Sequence, residues 1–227
     1  MKRLNLTIIV SMLVAVAFTA CVSQKSSVPG VTSIRSMSGN EIYQADIDIP
    51  EIAGEPQLNS LISDKINGWY DSFISEAELN SQMARDFGQP FTFENQWKVT
   101  LNTDDCTSLL LTSYQFVGGA NGEEKMASFT WNKLTDSLMS LEQILPLVLK
   151  QPDLASLATV CREELTVALA AQNDSDLQAM IQKGTEPVPA NYDVFTISEK
   201  GLTIYFEKYQ VAPGSSGSQA VLIPYLK

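Results

Sequence analysis

The sequence predicts an α+β fold, with antiparallel strands in two sub-sheets packed on amphipathic helices. Three observations predict it. Apolar residues alternate with a period of two over residues 43–49 and again, in three runs, over 91–134. Helical three- and four-residue spacing occupies 56–83 and 153–183, and the period of two returns over 192–225. Strands, then helices, then strands again describe an α+β domain, not a series of alternating βαβ units.

Each element follows from its own residues. Tyr43, Ala45, Ile47 and Ile49 alternate with Gln44, Asp46 and Asp48, which is a half-buried strand closed by Pro50. Leu58, Leu61, Ile62, Ile66, Trp69, Tyr70, Phe73 and Ile74 form one broad apolar helical face, entered through Pro56 at a first-turn position and ended by Gly88 and Pro90. Phe91, Phe93, Trp97, Val99 and Leu101 then share one face of a strand, with Asn95 the lone polar residue on that side. Strands over 108–117 and 126–134, linked by short turns, complete an antiparallel meander.

A helical turn is expected within 137–146. Helices over 153–171 and 175–183 follow, broken at Gln172-Asn173-Asp174. A hairpin is expected over 192–209, with Gly201 suiting its turn, and a last strand over 219–225. The chain is therefore divided into a leader (1–20), a flexible tether (21–39), an N-terminal α+β subdomain (40–122) and a C-terminal subdomain (123–227). The tether assignment rests on the Ser- and Gly-rich stretch 22–39, which has no apolar period.

The first residues carry the three parts of an export signal. Lys2 and Arg3 precede an apolar run from Leu6 to Phe18, and Thr19 and Ala20 lead into Cys21. The run is short for a bilayer span, which needs about 20 apolar residues. Phe18-Thr19-Ala20-Cys21 resembles a lipobox, with Phe where Leu is usual, so Cys21 is expected to carry the lipid: diacylglycerol and acyl chains such as palmitate. Two or three chains anchor firmly, at about 0.8 kcal/mol per buried methylene. An exported, envelope-anchored bacterial lipoprotein is the resulting expectation. Ser23, not Asp, at the second mature position favours the outer membrane in a Gram-negative host.

Charge and composition then exclude much. Without Lys2 and Arg3 the chain has 13 basic against 26 acidic side chains, a net charge of −13. Such a chain repels a phosphate backbone, so nucleic acid is not an expected partner. Histidine is absent, which removes Ser-His-Asp, Cys-His and HExxH chemistry. No metal or cofactor site is expected. Cys106 and Cys161 are a candidate disulfide pair in an oxidising compartment, and the competing reading of Cys161 is a small buried thiol on a helix face.

Asp46 and Asp48, on one strand face, could bind a cation or serve in glycosidase chemistry, but the reading that fits such a pair better is a solvated strand face. Gly118, Gly119 and Asn121, in the loop 118–122, and Gly214, Ser215 and Ser216, in a second loop, are candidate ligand-contact residues. The plainer reading of the first loop is a backbone excursion that needs positive φ. Trp97 and Trp131 share faces with Phe93 and Phe129, which assigns them to the core rather than to a sugar platform.

The run from Tyr114 through Gly118-Gly119-Ala120-Asn121-Gly122, then Ser128-Phe129-Thr130-Trp131 and Leu141-Glu142-Gln143-Ile144-Leu145, precedes a tail containing Tyr209-Gln210-Val211-Ala212-Pro213-Gly214 and Val221-Leu222-Ile223-Pro224-Tyr225. Together these resemble the RsiV-like extracytoplasmic domain over roughly residues 40–227. That family includes the C-terminal domain of a lysozyme-sensing anti-sigma factor and domains beside the catalytic domain of some peptidoglycan deacetylases. Its members usually carry His where Asn121 stands, so no role of that residue transfers. The resemblance implies an exported α+β fold in two pieces that senses or binds, with deacetylase chemistry belonging to a separate domain. The expected function is a non-enzymatic, membrane-anchored module for a protein such as lysozyme or a cell-wall glycan. The alternatives are a carboxylate-dependent glycan hydrolase and a passive structural lipoprotein.

Overall fold

Residues 28–227 are described in a computed structural model; the leader and Cys21 lie outside them. The strands and helices fall into two groups. The first is β1 (Val31–Gly39), β2 (Tyr43–Ile52), α1 (Pro56–Leu79), α2 (Ser81–Phe87), β3 (Phe91–Asn102), β4 (Cys106–Phe116), β5 (Glu123–Asn132) and β6 (Ser137–Leu138). Its strands form one six-stranded sheet in sequence order. The second is α3 (Leu141–Val148), α4 (Leu154–Ala168), α5 (Ser175–Gly184), β7 (Phe195–Ser198), β8 (Gly201–Phe206) and β9 (Gln219–Pro224), with a three-stranded sheet. The α+β class and the meander β3-β4-β5 stand as the periodicity predicts.

Two features depart from the sequence reading. Val31–Gly39, assigned above to a flexible tether, is a strand paired antiparallel with β2. It is an edge strand exposed at eight of nine positions, so it carries no buried alternation to read. β2 and β3 run parallel, with α1 and α2 as their crossover; this is the single parallel pair among the described strands. Parallel neighbours need such a crossover, and 38 residues separate Ile52 from Phe91. The first sheet itself extends past residue 122, since β5 and β6 belong to it.

Each half has its own core. Leu58, Ile62, Ile66, Phe73 and Ala77 of α1 are buried against Ala45, Ile47, Phe91, Phe93, Leu109, Leu111 and Phe129 on the inner face of the large sheet. The tilted ring pair Phe73–Phe93, with centroids 5.5 Å apart, marks its centre. Trp131 is in this core as expected, its indole N–H donating to Glu55 at 2.9 Å. The second core gathers α3, α4 and α5 around Leu202, Ile204 and Phe206. Its helices start on sequence-local caps: Asp153 accepts from the Ser156 N–H at 2.7 Å, and Asp174 from that of Leu177 at 3.0 Å.

The halves are joined by hydroxyls. β7 lies across the outer face of the large sheet, and its backbone meets side chains there instead of a neighbouring strand. The Phe195 N–H donates to Ser128 Oγ at 2.9 Å and the Ile197 N–H to Ser108 Oγ at 3.0 Å. Thr100 Oγ1 lies 2.8 Å from the Ile197 carbonyl. Thr100 sits where the β3–β4 register shifts, and past that bulge Leu101, paired with Ser108, packs against the second core instead of the first. Small hydroxyl residues on three strands thus satisfy an edge that would otherwise hold buried unpaired groups.

Candidate functional site

α1 covers the inner face of the large sheet, and β7 covers one end of the outer face. What stays open is the rest of the outer face. There Glu94 and Gln96 of β3, Thr112 and Tyr114 of β4, and Glu124 and Met126 of β5 line a depression of about 260 Å³, with Ser218 at its rim. A second, wider hollow of about 570 Å³ shares Glu94 and Tyr114 and runs toward Met37 and Gln44 near the β1 edge. Glu207, just after β8, accepts from the Met126 N–H at 3.1 Å and so fixes the second half over β5.

Tyr114 is the centre of this surface, and a glycine holds it there. A Cβ on Gly122 would lie 2.3 Å from the Tyr114 ring, so the ring rests directly on the glycine backbone. The other candidate loop repeats the device, because a Cβ on Gly214 would lie 2.2 Å from the ring of Tyr209. Tyr209 itself adopts φ 72°, unusual for an aromatic residue, and is 61% exposed with Lys208 Nζ 5.5 Å above its ring. Gln210 keeps this turn in place, donating to the carbonyls of Gly184 at 3.2 Å and Asn191 at 3.1 Å.

The candidate residues therefore fall as follows. Gly118, Gly119 and Asn121 form the β4–β5 loop, with φ of 96° and 92° at the two glycines. A Cβ on Gly118 would strike Met83 Sδ at 2.6 Å, whereas Gly119 has open space. The backbone-excursion reading fits these positions. Gly214, Ser215 and Ser216 make a 3-10 turn before β9. The two depressions are lined not by these six residues but by their neighbours Tyr114 and Ser218. Sequence reasoning missed the tyrosines because a glycine four to eight residues away signals a turn, not a seat.

The carboxylate pair also resolves differently from its sequence reading. Asp46 is engaged by Arg35 of β1 through both guanidinium branches, the Nε contact being 2.8 Å. That contact holds the Arg35 pKa above its ordinary value. Asp48, expected on a solvated face, is buried at 6% exposure. Its backbone lies just beyond the end of the β2–β3 ladder, where the Asn95 side chain binds its N–H and carbonyl. The two acids thus occupy different environments, Asp46 lining the wider hollow and Asp48 buried.

Cys106 and Cys161 are both free thiols. Cys161 is fully buried in the second core, and burial pushes its pKa up to about 12. Desolvation likewise raises that of Cys106, at the start of β4. Of the two readings left open, the candidate Cys106–Cys161 disulfide is not formed here, and Cys161 is a small buried thiol. Among the described residues no cluster of three or more Cys, Asp or Glu side chains is placed to hold a metal. No described helix is long and apolar enough to cross a membrane.

Comparisons with known proteins now bear on the two halves. Residues 36–124 match the family described as deacetylase PdaC, and residues 148–226 match a protein family of unknown function, DUF3298. The peptidoglycan-N-acetylmuramic acid deacetylase PdaC of Bacillus subtilis (strain 168) is 26% identical over 128 residues, 56% of this chain and 26% of that protein. The chain thus aligns with about a quarter of that relative's length. A DUF3298 family protein from Pseudomonas aeruginosa PAO1 superposes with a TM-score of 0.58 at 18% identity, covering 86% of this chain and 89% of that one. A second, from Bacteroides fragilis NCTC 9343, gives 0.62 at 13% identity with the same coverage. The fold is shared with both. Residues 36–124 are therefore a PdaC-like region and residues 148–226 a DUF3298-like one, the two-part arrangement that a resemblance to the RsiV-like extracytoplasmic domain implies.

Proposed function

We propose that this chain is a non-enzymatic binding or sensing module of the cell envelope, anchored through lipid on Cys21, and that its ligand docks on the open outer face around Tyr114. The ligand class is a cell-wall glycan or an envelope-acting protein such as lysozyme. The observation that carries the reading is the Tyr114 ring, 36% exposed and seated on Gly122, with the polar side chains of Glu94, Gln96 and Thr112 beside it. An aromatic face among hydrogen-bonding groups suits a sugar ring or a peptide. The likeness to PdaC supports a cell-wall ligand, and the absence of histidine supports binding without turnover.

The test is binding of the mature protein to lysozyme and to peptidoglycan fragments, with Tyr114→Ala as the variant. Loss of an aromatic anchor should weaken binding by at least about tenfold. Unchanged affinity in Tyr114→Ala would move the ligand elsewhere. Measurable release of acetate or reducing sugar by the wild-type chain would defeat the non-enzymatic reading. For the anchor, Cys21→Ser should shift the protein from the membrane fraction to the soluble one, and the mass of wild-type extracted protein should exceed that of the mature polypeptide by its lipid.

A further inference from the structure

A different hollow lies where the two sheets meet. It is a groove of about 510 Å³, between the outer face of β3 and the face of the small sheet that points away from the second core. β3 contributes Lys98, and the β7–β8 turn contributes Lys200. Tyr205 of β8 and Leu222 of β9 form the opposite wall. The volume suits a ligand of one or two rings.

The charge of this groove runs against that of the chain. The protein has 26 acidic and 15 basic side chains, yet the groove holds two lysines against one acid, Glu199, a local balance of +1. Among the described residues the ion pairs are Arg35–Asp46, Arg85–Glu41 and Lys125–Glu123, and neither Lys98 nor Lys200 takes part in one. Both lysines are exposed residues lining one groove, and each carries its charge on a flexible stem that can reach an anion held there. The wall facing them is apolar and fixed. Leu222 is 45% exposed, and the Tyr205 hydroxyl lies 3.1 Å from Thr196 Oγ1, which holds the ring in place. Tyr205 and Leu222 offer a surface for the body of a ligand, and the lysines a pair of donors for its charge.

We propose that this groove is a second binding site, for a small carboxylate-bearing ligand such as an acidic sugar. Its carboxylate lies between Lys98 and Lys200, and its ring lies against Tyr205 and Leu222. Because the net charge of the chain repels anions at a distance, recognition depends on these two side chains and falls with added salt. The site is separate from the Tyr114 surface, and each can fail without the other.

The test is an amide NMR titration of the protein with D-glucuronate, D-glucose and inorganic phosphate. Glucuronate and glucose share a ring and differ at one carbon in the carboxylate. The expected result is saturable shifts at Lys98, Lys200 and Tyr205 with glucuronate, and none with glucose. Lys98→Met/Lys200→Met should weaken glucuronate binding about tenfold or more, and Lys98→Arg/Lys200→Arg should restore it. Both lysines are exposed, so an unchanged melting temperature will show the variants to be folded. Absence of shifts with glucuronate, or equal affinity for phosphate or glucose, would overturn the proposal, as would full binding in the double Met variant.

Discussion

The Asn95 side chain holds both backbone polar groups of Asp48, accepting from its N–H at 2.9 Å and donating to its carbonyl at 2.8 Å. The parallel ladder between β2 and β3 runs only from Tyr43–Phe91 to Asp46–Glu94. Beyond it the strands diverge, and the β2 groups that face β3 need other partners. Asn95 serves Asp48, and Asn59 of α1 serves Ile52 in the same two-way manner at 2.8 and 2.9 Å. Between them sits Pro50, which has no N–H to satisfy. Asn95→Leu should therefore destabilise the protein by about 2–4 kcal/mol, two buried groups being left unpaired. Urea denaturation measures this; a change under about 0.5 kcal/mol, the scatter of ordinary surface substitutions, would show that Asn95 does not close the strand.

The glycine seats give a graded prediction. Gly122→Ala and Gly214→Ala must displace Tyr114 and Tyr209, whereas Gly119→Ala meets no atom within 4 Å and suffers only its positive φ. The first two should alter tyrosine fluorescence, only Gly122→Ala should also weaken ligand binding, and Gly119→Ala should alter neither. Thermal melts should place its cost at about 1 kcal/mol.

Gly201 is expected to be the least replaceable glycine in the second half. A Cβ there would lie 2.1 Å from the Ile223 carbonyl oxygen, at φ 144°, and backbone atoms cannot step aside cheaply. Gly201→Ala should cost about 3 kcal/mol or more by breaking the β8–β9 pairing, read as a lowered urea midpoint.

Cys161 makes stability depend on pH on the alkaline side. Its thiol ionises near 9 when unfolded and near 12 when folded. The raised folded value means that its contribution is intact below pH 9 and declines as pH rises toward 12, because only the unfolded chain then releases the proton. The loss approaches about 4 kcal/mol at its limit, three units at 1.36 kcal/mol each. Cys161→Ala should flatten the alkaline fall in urea midpoint, although it lowers stability at neutral pH. A thiol reagent at pH 8 should leave Cys161 unlabelled in native protein and label it in urea.

Much of the architecture was legible in the residues because a buried face writes a period. β3, β4 and α1 each bury one face, and each appears in the sequence at its proper spacing. β1 buries none, so Thr32, Ser33 and Ser36 looked like tether. The parallel β2–β3 pair was hidden because direction lies in the connection, not in the alternation. Asp48 was misjudged for a related reason. Period two states which face a side chain takes, but not what lies over that face. The proposed binding surface was the least legible part: Tyr114 lies on the outer side of β4, while the buried Leu109 and Leu111 mark the inner one, and it gains meaning only when Gly122 is found beneath it.

The β1 strand changes the reach of an anchored molecule. With a lipid on Cys21, ten residues span the distance to Val31, about 35 Å at full extension, whereas a tether to Gly39 would allow nearly twice that. On that proposal the start of β1 would lie no farther from the lipid than the shorter of these lengths. The proposed anchor would therefore keep the proposed ligand surface close to the membrane, where a long tether would let it range.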